Sequence, residues 1–277
     1  MQIFFHIGTR SGLSEGLRKL IIQNSALLEA NGLRYFLEDE EKPLLRSIAK
    51  NAGSIGWEGL APEVAFSCSA SQSRIFLDNQ MFLGAPEHIL GDQEFYPHAS
   101  ARISNFASAF PSAELNFILV AQPVHFLIEA VRHPGFRNSL TELGWEGAYE
   151  LSWFRLLQRM IAVAPGAKFW LLDGRSLPII VPQVLSLLAP ATNLSSFEGR
   201  TDWLTRACHN AEISKAEFDT LSQKEKRIAL LGPVLQRSKR ELIHQLMWDS
   251  VMIELFDNNY SSDLKQAKNL PGVTVIE

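Results

Sequence analysis

MQIFFHIGTRSGLSEG, residues 1–16, is the stretch on which the fold reading turns. An apolar run, Ile3-Phe4-Phe5, closes in His6-Ile7-Gly8. A short polar turn follows, Thr9-Arg10-Ser11-Gly12, and a long helical pattern starts behind it. Strand, glycine-containing turn and helix in this order form a cradle for a phosphate group. The backbone N–H groups of the turn and the helix N-terminus both point at the same anion.

Working outward, Leu13, Leu17, Leu20, Ile21, Leu27 and Leu28 recur at near-helical spacing, so 14–31 is expected to be one helix ending at Asn31-Gly32. A short strand is expected over 33–37, a turn over the acidic run 38–41 and Pro43, a helix over 44–52 and a loop over 53–62. Residues 74–77 form a third strand candidate, followed by Asp78-Asn79-Gln80. A helix over 99–110 is stopped by Pro111, and ELNFILVA, 114–121, has the continuous apolar character of a central parallel strand. Gln122-Pro123 leaves that strand, and a helix over 124–132 follows. The pattern then gives a long helix over 147–163, a strand over 168–172 ending in Asp173-Gly174-Arg175, and a helix over 179–188. From 201 to 256 the chain is mainly helical; 257–264 leads to Leu270-Pro271-Gly272 and a last short strand over 273–276. Apolar strands alternating with helices imply an α/β fold with a central parallel sheet, helices on both faces and a helix-rich C-terminal third. We expect a single domain over 1–277, with 201–256 a helical subregion.

The totals narrow the function classes. A net charge of −4 over 277 residues gives no electrostatic footprint for DNA or RNA. Cys68 and Cys208 supply neither a disulfide framework nor zinc spacing, which fits a reducing cytoplasm. The N-terminus lacks a basic region before its apolar run, and the apolar stretch 177–188 contains Pro178 and Pro182 and is too short to span a bilayer. A soluble cytoplasmic protein without membrane or nucleic-acid partners is expected; the oligomeric state is not encoded in any feature of the chain.

The turn is not a Walker A, which requires Gly-x4-Gly-Lys-Ser/Thr. Gly8 and Gly12 are separated by three residues, and Leu13 stands where the lysine would be. Arg10 supplies a cation able to clamp a phosphate or sulfonate in a bidentate way, and Ser11 and Ser14 supply hydroxyls. A plainer alternative makes Ser11 a helix N-cap and leaves Arg10 in solvent. His6 is a general-base candidate, or a buried strand-end histidine satisfied by a backbone partner. His125 is a second such candidate, or a surface histidine. Asp78 and Gln80 end the third strand, where ligands of open α/β sheets bind. Asp78 is positioned to take a proton from an acceptor hydroxyl, or to cap a turn. Asp173 and Arg175 touch a ligand or pair with each other.

The opening resembles that of bacterial sulfotransferase-family proteins, which begin His-Ile-Gly, then a Lys-Thr-Gly-Thr-like turn, then a long helix. Further matches run in order along the chain. DNQMFLG, 78–84, is similar to a family segment ending Asn-Leu-Leu-Gly; 96–110 leading into 115–123 resembles the helix and strand before the adenosine-phosphate site; and FDNNYSSDLKQAKNLPGV, 256–273, resembles the family's ending. The resemblance implies a P-loop-like fold and 3′-phosphoadenosine 5′-phosphosulfate (PAPS) as sulfuryl donor to a hydroxyl or amine acceptor, a small molecule or glycan, with no metal. It places Gly8, Thr9, Arg10, Ser11, Gly12 and Ser14 at the phosphosulfate, Gln122 at the 3′-phosphate, and Asp78, His125 or His6 as the base. The acceptor would be selected by loops at 53–73 and 134–146 and by the helical C-terminal third.

The chain departs from the family pattern at three places. The turn is one residue shorter, with Arg10 for its lysine; Gln122 stands for the arginine after the central strand; and Ala130 or Glu129 stands for a serine eight residues on. A lost charge-assisted phosphate contact is worth roughly 1.5–3 kcal/mol. A second reading therefore keeps the fold and drops catalysis, leaving a binding or interaction protein with a vestigial nucleotide site. A third, a kinase-like transferase, lacks the Gly-Lys-Ser/Thr turn it needs.

Overall fold

The computed structural model describes residues 1–8, 12–36, 74–84, 88–91, 94–122, 134–190 and 248–277, together with 193, 197, 199, 204–205, 207–209, 212–222, 225–226, 228–230 and 240. Its centre is a six-stranded sheet. The strands are β1 (Gln2–Gly8), β2 (Leu33–Tyr35), β3 (Arg74–Asn79), β6 (Glu114–Ala121), β7 (Lys168–Asp173) and β8 (Val273–Ile276), and a separate hairpin holds β4 (Leu90–Gly91) and β5 (Glu94–Phe95). The order across the sheet is β2-β3-β1-β6-β7-β8, with every pairing parallel. The hairpin has no counterpart in the sequence expectations.

Alternation along the strands sorts side chains onto two faces. Ile3, Phe5, Ile7, Ile75, Leu77, Phe117 and Leu119 join one apolar cluster, in which Phe5 packs against Phe82, Phe106 and Phe117. Helices α3 (Ala99–Ala109), α5 (Trp153–Val163) and α8 (Ser250–Ala267) cover that face. Phe4, Phe76, Ile118, Val120 and Leu172 point the other way, onto α1 (Gly12–Gln23), α2 (Ser25–Ala30) and α6 (Leu177–Leu188). Both faces of the sheet are thus buried, which is why its strands are nearly continuous in apolar residues.

Several boundaries differ from the sequence expectation, each for a local reason. The single helix expected over 14–31 is broken at Asn24. Its side-chain amide donates to the Leu20 carbonyl at 2.8 Å, competing with the backbone for that acceptor. The helix expected over 147–163 is two helices, α4 (Pro134–Tyr149) and α5. Ser152 adopts an extended conformation and caps α5 by accepting from Arg155 N at 3.2 Å. Asp263 of α8 completes the break, accepting from Trp153 N at 2.7 Å and from the Ser152 hydroxyl at 2.8 Å. Because α4 occupies 134–149, the expected acceptor-selecting loop at 134–146 is helical instead, with a kink at Gly144, φ 68°. The C-terminal connection expected at 257–264 lies inside α8, an 18-residue helix capped by Asp249. Within 201–256 a short helix, α7 (Lys215–Thr220), opens on a Ser214–Glu217 capping box. The helices expected over 44–52 and 124–132 lie outside the described residues. No described helix is long and apolar enough to cross a membrane.

Candidate functional site

The order of the sheet fixes where a ligand would sit. From β1 the chain moves outward to β2, returns through β3, and then crosses to β6 on the other side of β1. The crevice outside the carboxyl ends of β1 and β6 is therefore the topological switch point, the place where open α/β sheets bind ligands. Gly8 ends β1 there, in register with Val120 of β6. Its φ of 112° is one that L side chains rarely adopt, and a Cβ would overlap the Leu119 side chain. Glycine is thus required for the chain to leave the strand at this point. Four residues later Gly12 opens α1, so the positive dipole end of this helix follows directly on the carboxyl end of β1.

Beneath this turn lies a chain of buried polar side chains. His6 and Asp78 are register partners in adjacent strands, and His6 Nδ1 is 2.8 Å from Asp78 Oδ1. The other ring nitrogen, His6 Nε2, is 3.0 Å from Ser14 Oγ in the first turn of α1. Arg18, one turn further along the same helix, places Nε 2.9 Å from Asp78 Oδ2 and Nη1 3.3 Å from Glu15 Oε1. His6 and Ser14 are 0 % exposed and Asp78 is 4 % exposed, so these three groups are buried, while Arg18 and Glu15 reach partly into solvent. With Asp78 ionised, the ring carries its proton on Nδ1 and accepts the Ser14 hydroxyl hydrogen at Nε2, an assignment made from the network. His6 is satisfied by side chains on two other elements, where sequence reasoning offered a backbone partner. Asp78 stands at the strand edge as expected, with both oxygens already engaged.

A second cluster occupies the end of β7. Asp173 Oδ1 accepts from the Arg175 backbone N–H at 3.0 Å and from Arg175 Nε at 3.2 Å, and Oδ2 accepts from Ser176 Oγ at 3.2 Å. The Tyr260 hydroxyl of α8 lies 2.8 Å from Asp173 Oδ1 and 2.9 Å from the Ala121 carbonyl, tying α8 to the ends of β6 and β7. The Arg175 guanidinium stacks over the Tyr260 ring at 4.6 Å. Burial, reinforced by the Asp173 charge, pushes the Tyr260 hydroxyl well above its ordinary pKa. Burial opposes the Arg175 charge, but Asp173, together with Tyr260 and Asp257, outweighs it and raises the guanidinium pKa. Of the two open alternatives for Asp173 and Arg175, pairing with each other is what the structure shows. Gln122 follows β6 and is 1 % exposed; Gly174 packs so closely that a Cβ there would meet the Ala121 carbonyl oxygen at 2.6 Å.

From Gln122 a cavity of about 30 Å³, room for a water molecule or two, runs between Tyr260, Asn259 and Asp263. It adjoins an open polar cleft of about 360 Å³ between α5 and α8, with which it shares Leu151, Asn259 and Asp263.

Of the residues singled out in the sequence, Gly8, Gly12, Ser14 and Asp78 converge on the β1–α1 turn, and Gln122 lies one strand away. Thr9, Arg10, Ser11 and His125 lie outside the described residues. Sequence reasoning missed Arg18 and Tyr260 as site residues. Ser14 and Arg18 are four apart on a helix, a spacing that puts both on the face turned to β1 and β3. Tyr260 carried no comparable signal, because its partners Asp173 and Ala121 are 87 and 139 residues away. Among the described residues no group of three or more His, Cys, Asp or Glu is placed to hold a metal ion.

Comparison with protein-family models finds no match, and none of the curated proteins matches either. Among solved structures, a sulfotransferase from Alicyclobacillus acidocaldarius aligns over 92 % of this chain and 99 % of that one, with 9 % identity and a TM-score of 0.35. A likeness of that size carries no structural inference.

Proposed function

We propose that the β1–α1 turn is an anion site for the phosphosulfate end of PAPS, and that the protein is a sulfotransferase-like transferase acting on a hydroxyl or amine acceptor. The observation that carries this reading is the placement of Gly8 and the N-terminus of α1 at the topological switch point of a parallel sheet, with the Ser14 hydroxyl in the first helical turn. PAPS supplies the activated sulfuryl group. The chain supplies the turn and helix N–H groups and the Arg10 cation, which together stabilise negative charge on the transferring group and the leaving phosphate. Asp78, with one oxygen on His6 and the other on Arg18, serves to position His6 and α1.

Gln122 favours a second reading, a binding protein with a vestigial nucleotide site. The end of β6 carries a buried neutral amide where the resemblance implies a cation for the 3′-phosphate.

Calorimetric titration with adenosine 3′,5′-bisphosphate separates the two. Micromolar binding that Arg10→Ala weakens supports the transferase. Absence of binding at millimolar nucleotide overturns it and leaves the vestigial site.

A further inference from the structure

The open cleft of about 360 Å³ between α5 and α8 takes no part in the anion site, and its volume lies within the roughly 300–1,000 Å³ of small-molecule sites. One wall is a single face of α8, where Asn259, Ser262, Asp263 and Gln266 recur at helical spacing. The other is the corner between α4 and α5, with Tyr149 and Phe154, both half-buried, and Gln158.

The charged groups of this cleft engage each other. Asp263 is buried, and its oxygens accept from the Ser152 hydroxyl at 2.8 Å and from Trp153 N at 2.7 Å, with Phe154 N a further donor. The first N–H groups of α5 are thereby capped from within the chain, so its N-terminus offers little to an anion. At the rim, Glu150 Oε2 lies 3.1 Å from Arg155 Nη2. A cationic ligand would compete for carboxylates that already have partners. An anion would have to displace Glu150 from Arg155, close to the fixed Asp263 charge.

The capacity that remains is neutral. Among the described residues nothing bonds the Tyr149 hydroxyl or the Gln158 side-chain amide. Asn259 Nδ2 donates to the Tyr149 carbonyl at 2.9 Å, which leaves its Oδ1 as an acceptor. Gln266 Nε2 donates to Ser262 Oγ at 3.1 Å, which leaves its Oε1 likewise. Both amide orientations are assigned from these bonds.

We propose that this cleft is a binding site for an uncharged carbohydrate. Sugar hydroxyls donate and accept from closely spaced atoms, which matches the acceptors of Asn259 and Gln266 beside the Tyr149 hydroxyl and the Gln158 amide, each able to do both. A sugar also carries C–H surface, for which Tyr149 and Phe154 supply apolar contact at the same corner. Asp263 ties α8 to the start of α5, so the two walls are held in place before a ligand arrives. The site stands or falls independently of the anion site.

The test is titration of the full ¹⁵N-labelled chain, followed by backbone and side-chain amide shifts, with glucose, galactose, mannose, N-acetylglucosamine, maltose and lactose. Glucose 6-phosphate, glucosamine and the uncharged peptide N-acetyl-triglycine amide are titrated in parallel. At least one neutral sugar should move the side-chain amides of Gln158, Asn259 and Gln266, and the backbone amides of Ser152 to Arg155, in a saturable way. Gln158 is exposed on α5, so Gln158→Ala leaves the fold intact and should weaken that sugar about two- to tenfold, the loss expected for one neutral hydrogen bond. No saturable shift with any neutral sugar at tens of millimolar overturns the proposal. So does tighter binding of the phosphate, the amine or the peptide than of every neutral sugar, which would assign the cleft to charge or to peptide recognition. Sugar binding that moves only amides elsewhere, or that is unchanged in Gln158→Ala, overturns it as well.

Discussion

His6 and Asp78 stand opposite one another in adjacent parallel strands, and their side chains meet 2.8 Å apart at the carboxyl edge of the sheet, where the chain turns into α1. The contact joins β1 to β3, and through Ser14 and Arg18 it joins both strands to the helix whose N-terminus forms the candidate site. Anything that disturbs it should be felt at the turn.

Asp78→Asn preserves shape and removes the charge shared by His6 and Arg18. Breaking one partner of a buried ion pair costs roughly 3–5 kcal/mol; the Arg18 side chain is a quarter exposed, which places this case at or below the lower end. Urea unfolding should show that loss, and Arg18→Met in the same chain should restore part of it by removing the stranded cation. An unchanged midpoint in Asp78→Asn would mean the pair contributes nothing.

Gly8→Ala should be destabilising by more than the roughly 1–2 kcal/mol that a left-handed backbone costs an L residue, because the new Cβ also overlaps Leu119. Leu119→Ala in the Gly8→Ala background should relieve the overlap and not the backbone strain, so recovery in thermal unfolding should be partial. Gly32 has φ 77° with no atom within 4 Å of an added Cβ, so Gly32→Ala should show the backbone cost alone.

Asp263 is a cap whose pKa burial raises, partly offset by hydrogen bonds from Ser152 and the start of α5. Its folded value lies above the unfolded 3.8, so the native state holds the proton more tightly. The stabilising increment grows as pH falls from neutral through the folded value, and it is complete below the unfolded value. Wild-type stability measured against Asp263→Asn should therefore improve as pH drops toward 4. A difference that is flat or reversed with pH contradicts this assignment. Asp263→Ala should cost about 1–2 kcal/mol near neutral pH through the lost cap, and more as pH falls toward 4.

Tyr260→Phe removes the hydroxyl that links α8 to Ala121 and Asp173, and should cost about 1–2 kcal/mol. The hydroxyl's folded pKa is raised, so its contribution is full below the unfolded value near 10 and is lost as pH rises toward the folded one. Wild type should lose stability above about pH 10 faster than Tyr260→Phe does, as followed by circular dichroism.

Much of this architecture was legible in the chain because it rests on local patterns. The strands over 114–121 and 273–276 fall where their apolar runs put them, and Gly8 is where a strand-to-helix turn needs glycine. What was not legible depends on contacts distant in sequence. The break between α4 and α5 needs Asp263, more than a hundred residues away, to take the Trp153 N–H. The same holds at the site. Ser14 and Asp78 could be singled out by their places after strands, whereas the engagement of both Asp78 oxygens is visible only once β1, β3 and α1 are packed together. Asn24 is a case where a short polar side chain shares a carbonyl acceptor with the backbone, which apolar periodicity alone does not register.

The central claim is that an anion is held at the head of α1, and backbone amide chemical shifts test it most directly. Addition of adenosine 3′,5′-bisphosphate to ¹⁵N-labelled protein should move the amides of Gly8, Gly12 and Ser14 in a saturable way, downfield as N–H groups begin donating to the anion. Shifts confined to other parts of the sheet edge, or no shifts at millimolar nucleotide, would contradict the account.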